Sequence, residues 1–501
     1  MDSPSPCRSF SCQHRVLNWK YGEPGMTADH HQESNGEADK SVICTQRPQA
    51  SISNKWISAV KTDPMISWGR WAGGSWLSAI GCAGISIFGP LLVFLLWVAL
   101  EDFNGSLFAS LSVFWSKGLI PFVVRFAPQP SVKACIGYVA WLVFQATLYA
   151  CLPGKNSSGQ LTPAGNLLKY NTNGLFAWVV THLLAVMAAI SGILNPAMLA
   201  KHWEGLLVAA NIYGLFLSAF SYLKAYIAPT HPEDRKFSGS VLYDFYMGIE
   251  LNPRFGKSWD FKLFHIGRPG LIAWTLIDLS YVAWQYQLHG FVTNSIIIVS
   301  ILHAVYALDF FINEDWYLRT IDICHDHFGF YLAWGSVVWI PTIYTVQVQY
   351  LARYPVKLSS LSATIILLTG LGGYALFRSV NHQKDIFRRT NGQCEIWGKK
   401  AEYISCNFKT QDGLNHESLL LCSGWWGMVR HANYVGDLVL SYAMCAPSGT
   451  THLLPWTYAL FMTLLLMHRC SRDEQRCLEK YGEDWKAYRE KVRWRLIPGI
   501  F

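Results

Sequence analysis

The amino-acid sequence predicts an all-α fold: a polytopic membrane helical bundle of eight to ten transmembrane helices, followed by a charged and aromatic C-terminal module. Three observations carry that reading. Only 15% of the 501 residues are charged and 51% are apolar, against about 25% charged in an ordinary soluble domain. Residues 76–100 contain no charged side chain, over a length able to cross a hydrocarbon core of roughly 30 Å. Comparable apolar runs then recur along the chain, separated by polar loops.

The first 75 residues mix Ser, Gln, Asn, Asp and Lys around no apolar core. No cleavable signal peptide is expected there; a disordered cytosolic tail is. Eight spans are expected between residues 76 and 377, near 76–100, 135–152, 174–199, 205–227, 270–286, 292–312, 328–348 and 358–377. Two shorter stretches, 434–446 and 452–467, read as a hairpin or re-entrant pair within the C-terminal module, residues 378–501. The net charge of +8 is uneven. Basic residues gather in the tail, in 224–268, in 378–430 and after His468. Ten spans, or eight with a re-entrant pair, put all of these on one face, and the positive-inside rule makes that face cytosolic. Both termini are then cytosolic. The basic residues are interleaved with acids at membrane exits, so membrane lipids are the expected partners and nucleic acid is not. The 13 cysteines form no CxxC pair and no regular ladder, which favours apolar filler over a disulfide framework or zinc site.

Ionisable groups inside spans are expensive unless paired or functional. His182, Glu204, Asp278, His303 and Asp309 fall in or at the ends of spans, and interhelical hydrogen bonding is the expected fate of most. Tyr306 and Asp309 are three apart and share a helical face. The segment 313–335 is dense with Glu314, Asp315, Asp322, His325, Asp326 and His327. On one helix His325 and His327 would diverge, so no metal is expected. Past the eighth span, Lys384 and Arg388 are spaced i, i+4. They project from one face at the membrane surface, which suits phosphate and equally suits an ordinary anchor.

Two C-terminal blocks shift that balance. The first, SGWWGMVRHANYVGD (423–437), sets two Trp beside amide, imidazole and carboxyl groups. The second follows His468 and supplies Arg469, Asp473, Glu474, Lys480, Tyr481 and Tyr488. Flat aromatic faces with amide donors suit a planar ring with a polar edge, such as nicotinamide or adenine. With Lys384 and Arg388, these blocks predict a cytosolic-facing cofactor-binding module for an anionic cofactor.

The stretches GSVLYDFYMGIELNPR, TIDICHDHFGFYLAWG, VNHQKDIFRRTNG, LLLCSGWWGMVRHANYVGD and HRCSRDEQRCLEKYGEDWKAY, with the terminal RLIPGIF, resemble the sterol reductase family from about residue 76 to the C terminus. The resemblance implies NADPH as cofactor and a sterol double bond as acceptor, the branch acting on C7=C8 being most similar. It implies that Lys384 and Arg388 hold the cofactor phosphates, and that Leu421, Trp426, Asn433 and Tyr434 frame the nicotinamide side. Asp473, Cys477, Leu478, Glu479, Lys480, Tyr481 and Tyr488 would complete the pocket. Tyr306 and Asp473 are similar to the family's proton-relay pair. The resemblance further implies the endoplasmic reticulum membrane, a sterol substrate entering from the bilayer, and association with other enzymes of sterol biosynthesis.

An alkene accepts hydride poorly, so the implied chemistry is protonation to a tertiary carbocation followed by hydride delivery, in a dry site holding both acid and cofactor. Tyr306 is the expected acid, tuned by Asp473; a neutral Asp is the alternative. Sister activities at Δ14 or Δ24(28) remain open, as does an inactive sterol binder. The tail is also similar to isoprenylcysteine carboxyl methyltransferases. Their S-adenosylmethionine has no phosphates and leaves Lys384 and Arg388 without a role. A sequon at Asn104 is expected to be lumenal, and one at Asn156 cytosolic.

Overall fold

The computed structural model describes residues 68–70, 75–256 and 259–501. The expected disordered tail lies outside the described residues, apart from 68–70 and Ser75. Among the described residues, five helices are long and apolar enough to cross a membrane: Trp76–Asp102, Val132–Cys151, Trp203–Ile227, Asn294–Ile312 and Ser360–Arg389. Three start on a serine, Ser75, Ser131 or Ser359, whose hydroxyl accepts a backbone N–H three residues on and satisfies an otherwise orphaned donor. Gly174–Ile190 is shorter, at 17 residues. Pro269–His289 opens on proline, whose missing N–H costs nothing at a first helical position. The connection after the first span is itself helical, over Leu107–Lys117 and Leu119–Phe126.

The span expected at 328–348 is broken. Phe330–Trp334 leads into a π turn at Gly335–Trp339, then Ile340–Ile343 and Val346–Arg353. Pro341 lacks an N–H and crowds the preceding turn. Gly270 packs on the Ser336 carbonyl so closely that a Cβ would stand 2.0 Å from its oxygen. The backbone there is shaped by a neighbouring helix, which explains the local widening.

The C-terminal apolar stretches form Ala432–Cys445 and Thr457–Tyr481. Leu440, Met444, Tyr458 and Met462 share one buried cluster with Ile277, Leu302 and Val348, so these helices belong to the bundle core. Ser360–Arg389 runs unbroken through the boundary expected at 377/378. The bundle is all-α, and among the described residues four two-stranded antiparallel hairpins occupy its polar loops: Lys155–Leu161 with Leu167–Thr172, Arg254–Phe255 with Trp259–Asp260, Glu395–Ile396 with Lys399–Lys400, and Tyr403–Lys409 with Asn415–Leu421.

The basic loop 224–268 folds inward. Lys224–Glu250 (3.0 Å), Arg254–Asp260 (3.0 Å), Arg70–Asp244 (2.9 Å) and Arg268–Glu314 (2.7 Å) are buried ion pairs. Burial of such charges is tolerable only because each is paired. Two faces emerge. Trp68 Nε1 donates to the Lys409 carbonyl at 2.7 Å, and the Gln411 amide to the Pro163 carbonyl at 2.9 Å. The start of the first helix and the hairpins around 155–172 and 403–421 therefore share one face, with Asn156. Asn104 lies at the other, beside the Glu101–Arg353 ion pair and the Tyr354 hydroxyl bonded to the Leu100 carbonyl.

Candidate active site

The Ser360–Arg389 helix ends in a cluster of charge. Asp385 is taken by Arg319 (3.2 Å) and Arg389 (2.8 Å). Lys384 and Arg388, one turn apart, have no carboxylate partner among the described residues. Lys384 Nζ stands 4.0 Å from the centroid of the Trp426 ring, a cation–π contact. That indole donates to the Val380 carbonyl at 2.9 Å, which ties it to the same helix. Leu421 and Trp426 are buried with Val380, Phe387 and Ile396. Gly424 (φ 63) makes the turn between them, and a Cβ there would meet Gln383 Oε1 at 2.5 Å.

The Ala432–Cys445 helix starts at His431, whose ring stacks on Tyr434 at 5.0 Å and 4°. Burial pushes the His431 imidazole down to about 4, with Asp473 opposing and Lys384 and Arg430 assisting; it is neutral at neutral pH. Asn433 Oδ1 is buried with no hydrogen-bond partner.

The Thr457–Tyr481 helix presents Arg469, Arg472, Asp473, Arg476 and Lys480 at spacings of three and four, a single stripe. Arg469 pairs with Asp322, Arg472 with Asp326, and Arg476 with Asp473. Asp322 and Asp326 are thus counterions for C-terminal arginines, while Glu314 pairs with Arg268 and Asp315 with Lys155. His327 Nε2 bonds the Asp234 carbonyl at 3.2 Å, and burial beside Arg476 and Arg472 drives His325 well below its ordinary range. Among the described residues no group of three or more metal-ligating side chains gathers to hold an ion.

Burial alone would raise the Asp473 carboxyl, but Arg476, His431 and Lys384 together outweigh it and hold it well below the usual carboxylate range. Asp473 is an anion within the cationic cluster. Cys477 packs with Cys422, Trp485 and Tyr488. Leu478 is partly exposed, and Glu479 accepts from Gln475 at 3.0 Å. Lys480 Nζ lies 3.9 Å from the Phe408 ring centroid and 4.5 Å from that of Trp68; burial and then Arg476 push it down to about 8. Tyr481 donates to Ser418 Oγ at 3.3 Å, and Tyr488 to the Trp426 carbonyl at 3.5 Å. Electrostatic reach connects Lys384 to Arg388, Asp473 and Arg476, and Arg388 to Tyr481. These residues therefore converge.

Tyr306 lies deeper, against Trp274 at 5.5 Å. The ionisable groups that act on it most strongly are Asp437, Tyr458, Tyr317 and Tyr344. Asp309 is committed elsewhere, to Arg378 (3.0 Å), Tyr374 (2.9 Å) and Tyr317 (3.2 Å). The other intramembrane groups are partnered as expected. His182 bonds Thr275 at 2.8 Å, Glu204 the Gln129 amide at 2.7 Å, and Asp278 pairs with His303 at 3.1 Å. Sequence reasoning singled out no role for Arg319, Gln383 or Asp437. The sequence signal for the arginine stripe was the opposition of an acidic 313–335 segment to a basic 469–480 helix.

Beside this core lies an apolar cavity of about 1000 Å³, walled by Phe88, Leu92, Phe122, Trp334 and Phe461, with His468 and Arg472 at its polar end. Arg472 packs over the Tyr331 ring, and Arg469 acts on both Tyr331 and Asp437. The cavity is ample for a lipid-sized ligand.

The model of the Ergosterol biosynthesis ERG4/ERG24 family matches residues 75–501. The 7-dehydrocholesterol reductase of Danio rerio is 47% identical over 447 residues, covering 87% of this chain and 94% of the relative. That of Xenopus laevis is 46% identical over 469 residues, covering 91% and 99%. A Delta(14)-sterol reductase of Methylotuvimicrobium alcaliphilum is 40% identical over 418 residues, covering 82% and 92%. This chain belongs to the ERG4/ERG24 family of sterol reductases, membrane oxidoreductases that act on a sterol C=C bond.

Proposed function

We propose that this chain is an NADPH-dependent reductase of the sterol C7=C8 bond, converting 7-dehydrocholesterol-type sterols to cholesterol-type products in the endoplasmic reticulum membrane, with both termini cytosolic. The observation that carries the cofactor assignment is the Lys384–Arg388 pair: two neighbouring basic groups that form no ion pair with a carboxylate among the described residues, in a site where Arg319, Arg469, Arg472 and Arg476 are all paired. Such a pair suits phosphate. The unpartnered Asn433 Oδ1 suits a ring carboxamide donor. The choice of C7=C8 rests on 46–47% identity to two 7-dehydrocholesterol reductases, against 40% to the bacterial Delta(14)-sterol reductase.

Lys384 and Arg388 neutralise phosphate charge, while Lys480 and Tyr481 close the same end of the site. When bound, NADPH supplies a hydride. Tyr306, in the dry interior, donates the proton that makes the alkene electrophilic, a contribution of about 10²–10⁴-fold for a positioned acid. The apolar cavity admits sterol from the bilayer side, while the cations face the aqueous side.

Expression in reductase-deficient cells fed a Δ5,7-sterol, with products read by mass spectrometry, tests the reading. Loss of the 7,8 double bond is expected. Reduction of a Δ8,14-sterol alone contradicts the bond assignment.

A further inference from the structure

The Lys480 ammonium is boxed by aromatic rings. Its Nζ stands 3.9 Å from the Phe408 ring centroid, 4.5 Å from that of Trp68 and 5.4 Å from that of Tyr481. The rings brace one another edge to face, Trp68 on Phe408 at 5.9 Å and Phe408 on Tyr481 at 6.0 Å, both at 88°. Among the described residues this half-buried ammonium forms no ion pair with a carboxylate. Ring faces attract a cation without accepting its hydrogen bonds in the way a carboxylate does. The box therefore orients the charge and leaves its three N–H donors to an incoming anion.

Trp68 enters that box from ahead of the first span. Its indole donates to the Lys409 carbonyl at 2.7 Å, which seats it on the Tyr403–Lys409 strand, and it is 7% exposed. Two residues on, Arg70 is buried in the 224–268 loop, where it holds Asp244 at 2.9 Å and the Lys236 carbonyl at 2.6 Å and lies over the Tyr243 ring. Gly69 turns the chain between these anchors at φ 125. A Cβ there would meet Lys236 Nζ at 3.0 Å and Pro163 at 3.3 Å, so the turn requires glycine. The segment Trp68–Gly69–Arg70 is a clip fastened at one end to the loop and at the other to the hairpin beside Lys480.

We propose that Trp68 is a positioning residue of the cofactor site: the clip ahead of the first span presses its indole on Lys480 and points that ammonium at the cofactor's phosphates. A lysine stem is long and flexible, and ordering it at the moment of binding would cost affinity. The clip does that ordering in advance. Trp68 acts through Lys480 and touches no reacting atom, so it governs how tightly the cofactor binds and leaves the chemical step alone. The inference rests on the reading above for NADPH as the ligand and for Lys480 as one of its cations. It is indifferent to which sterol bond is reduced.

The test is a double-mutant cycle on the purified full chain, with NADPH affinity read by direct titration at pH 7 and kcat read at saturating NADPH. Trp68→Ala is expected to weaken NADPH binding about 3- to 30-fold, the range of one cation–π contact, with kcat and sterol affinity unchanged. Trp68→Phe, which keeps a ring face, is expected to recover part of the loss. Trp68→Leu keeps the apolar bulk without the ring and serves where the Ala variant does not fold. The deciding readout is coupling: in a Lys480→Met background, Trp68→Ala or Trp68→Leu is expected to weaken NADPH no further. Losses that add in full, unchanged NADPH affinity in both Trp68→Ala and Trp68→Leu, or an equal fall in sterol affinity overturn the proposal and leave the cofactor reading standing. Wild-type NADPH affinity in Lys480→Met instead removes Lys480 from the cofactor reading, and the proposal falls with it.

Discussion

Gly373 and Gly436 meet backbone to backbone. A Cβ on Gly373 would stand 2.8 Å from the Gly436 carbonyl oxygen, and one on Gly436 would stand 2.6 Å from the Gly373 carbonyl oxygen. The two helices crossing there carry the two halves of the site: Lys384 and Arg388 on one; Asn433, Tyr434 and Asp437 on the other. In a bilayer, small residues let helices approach closely. The spacing between Lys384 and Arg388 on one helix and Asn433 and Tyr434 on the other is therefore set by residues that have no side chain.

Gly436→Ala should part these helices. Overpacking of this kind costs about 1–3 kcal/mol, so the Tm in detergent should fall and NADPH affinity should weaken with it. An unchanged Tm would show that the crossing is looser than the structure makes it.

Lys384→Ala or Arg388→Ala should weaken NADPH binding by about 10–100-fold, the equivalent of one charge-assisted hydrogen bond. Sterol binding should be untouched, because neither residue lies near the apolar cavity walls. Equal loss for sterol and NADPH in a direct binding titration would remove the phosphate role.

Lys384 and Lys480 give the site a pH dependence. Burial and then a neighbouring arginine push their ammonium groups down from the ordinary 10.5, to about 7 and about 8, so above those values each is neutral and an anion must bring a proton with it to bind. NADPH affinity should fall between about pH 7 and pH 9, by at most about tenfold per unit for each linked proton. Lys480→Met should remove the steeper part of the fall above about pH 8; a fall of unaltered steepness in the variant would show that Lys480 does not contribute.

Glu314 links three elements. It sits 2.7 Å from Arg268 and accepts the Gly174 amide at 2.7 Å, with both charged side chains buried. Glu314→Ala leaves Arg268 uncompensated and should cost about 3–5 kcal/mol, read as lost folded protein on size exclusion. Replacing both partners by apolar residues should recover part of it.

Five of the expected spans, those near 76–100, 135–152, 205–227, 292–312 and 358–377, were legible because a bilayer imposes both length and composition. The broken helix at 330–353 was half legible: Pro341 is visible in sequence, but the π turn depends on Gly270 reaching the Ser336 carbonyl from another helix. At the site, the i, i+4 spacing of Lys384 and Arg388 placed them on one face correctly. What it could not give was the Trp426 ring beneath Lys384, a contact made only after the chain turns at Gly424. Asp322 and Asp326 read locally as a dense helix junction, and only tertiary contact makes them counterions of Arg469 and Arg472. Asp437 lies inside the 423–437 block, but its burial has no local signature. The Gly370–Leu371–Gly372–Gly373 run was the available signal for the close helix crossing.

The most direct test of the account follows one atom. Purified protein is given a Δ5,7-sterol and NADPH carrying deuterium at the transferable position of nicotinamide C4, and the product is read by mass spectrometry. The account predicts a 7,8-saturated sterol that has gained one deuterium. A product without deuterium, or a sterol whose 7,8 double bond persists while another is reduced, would contradict it.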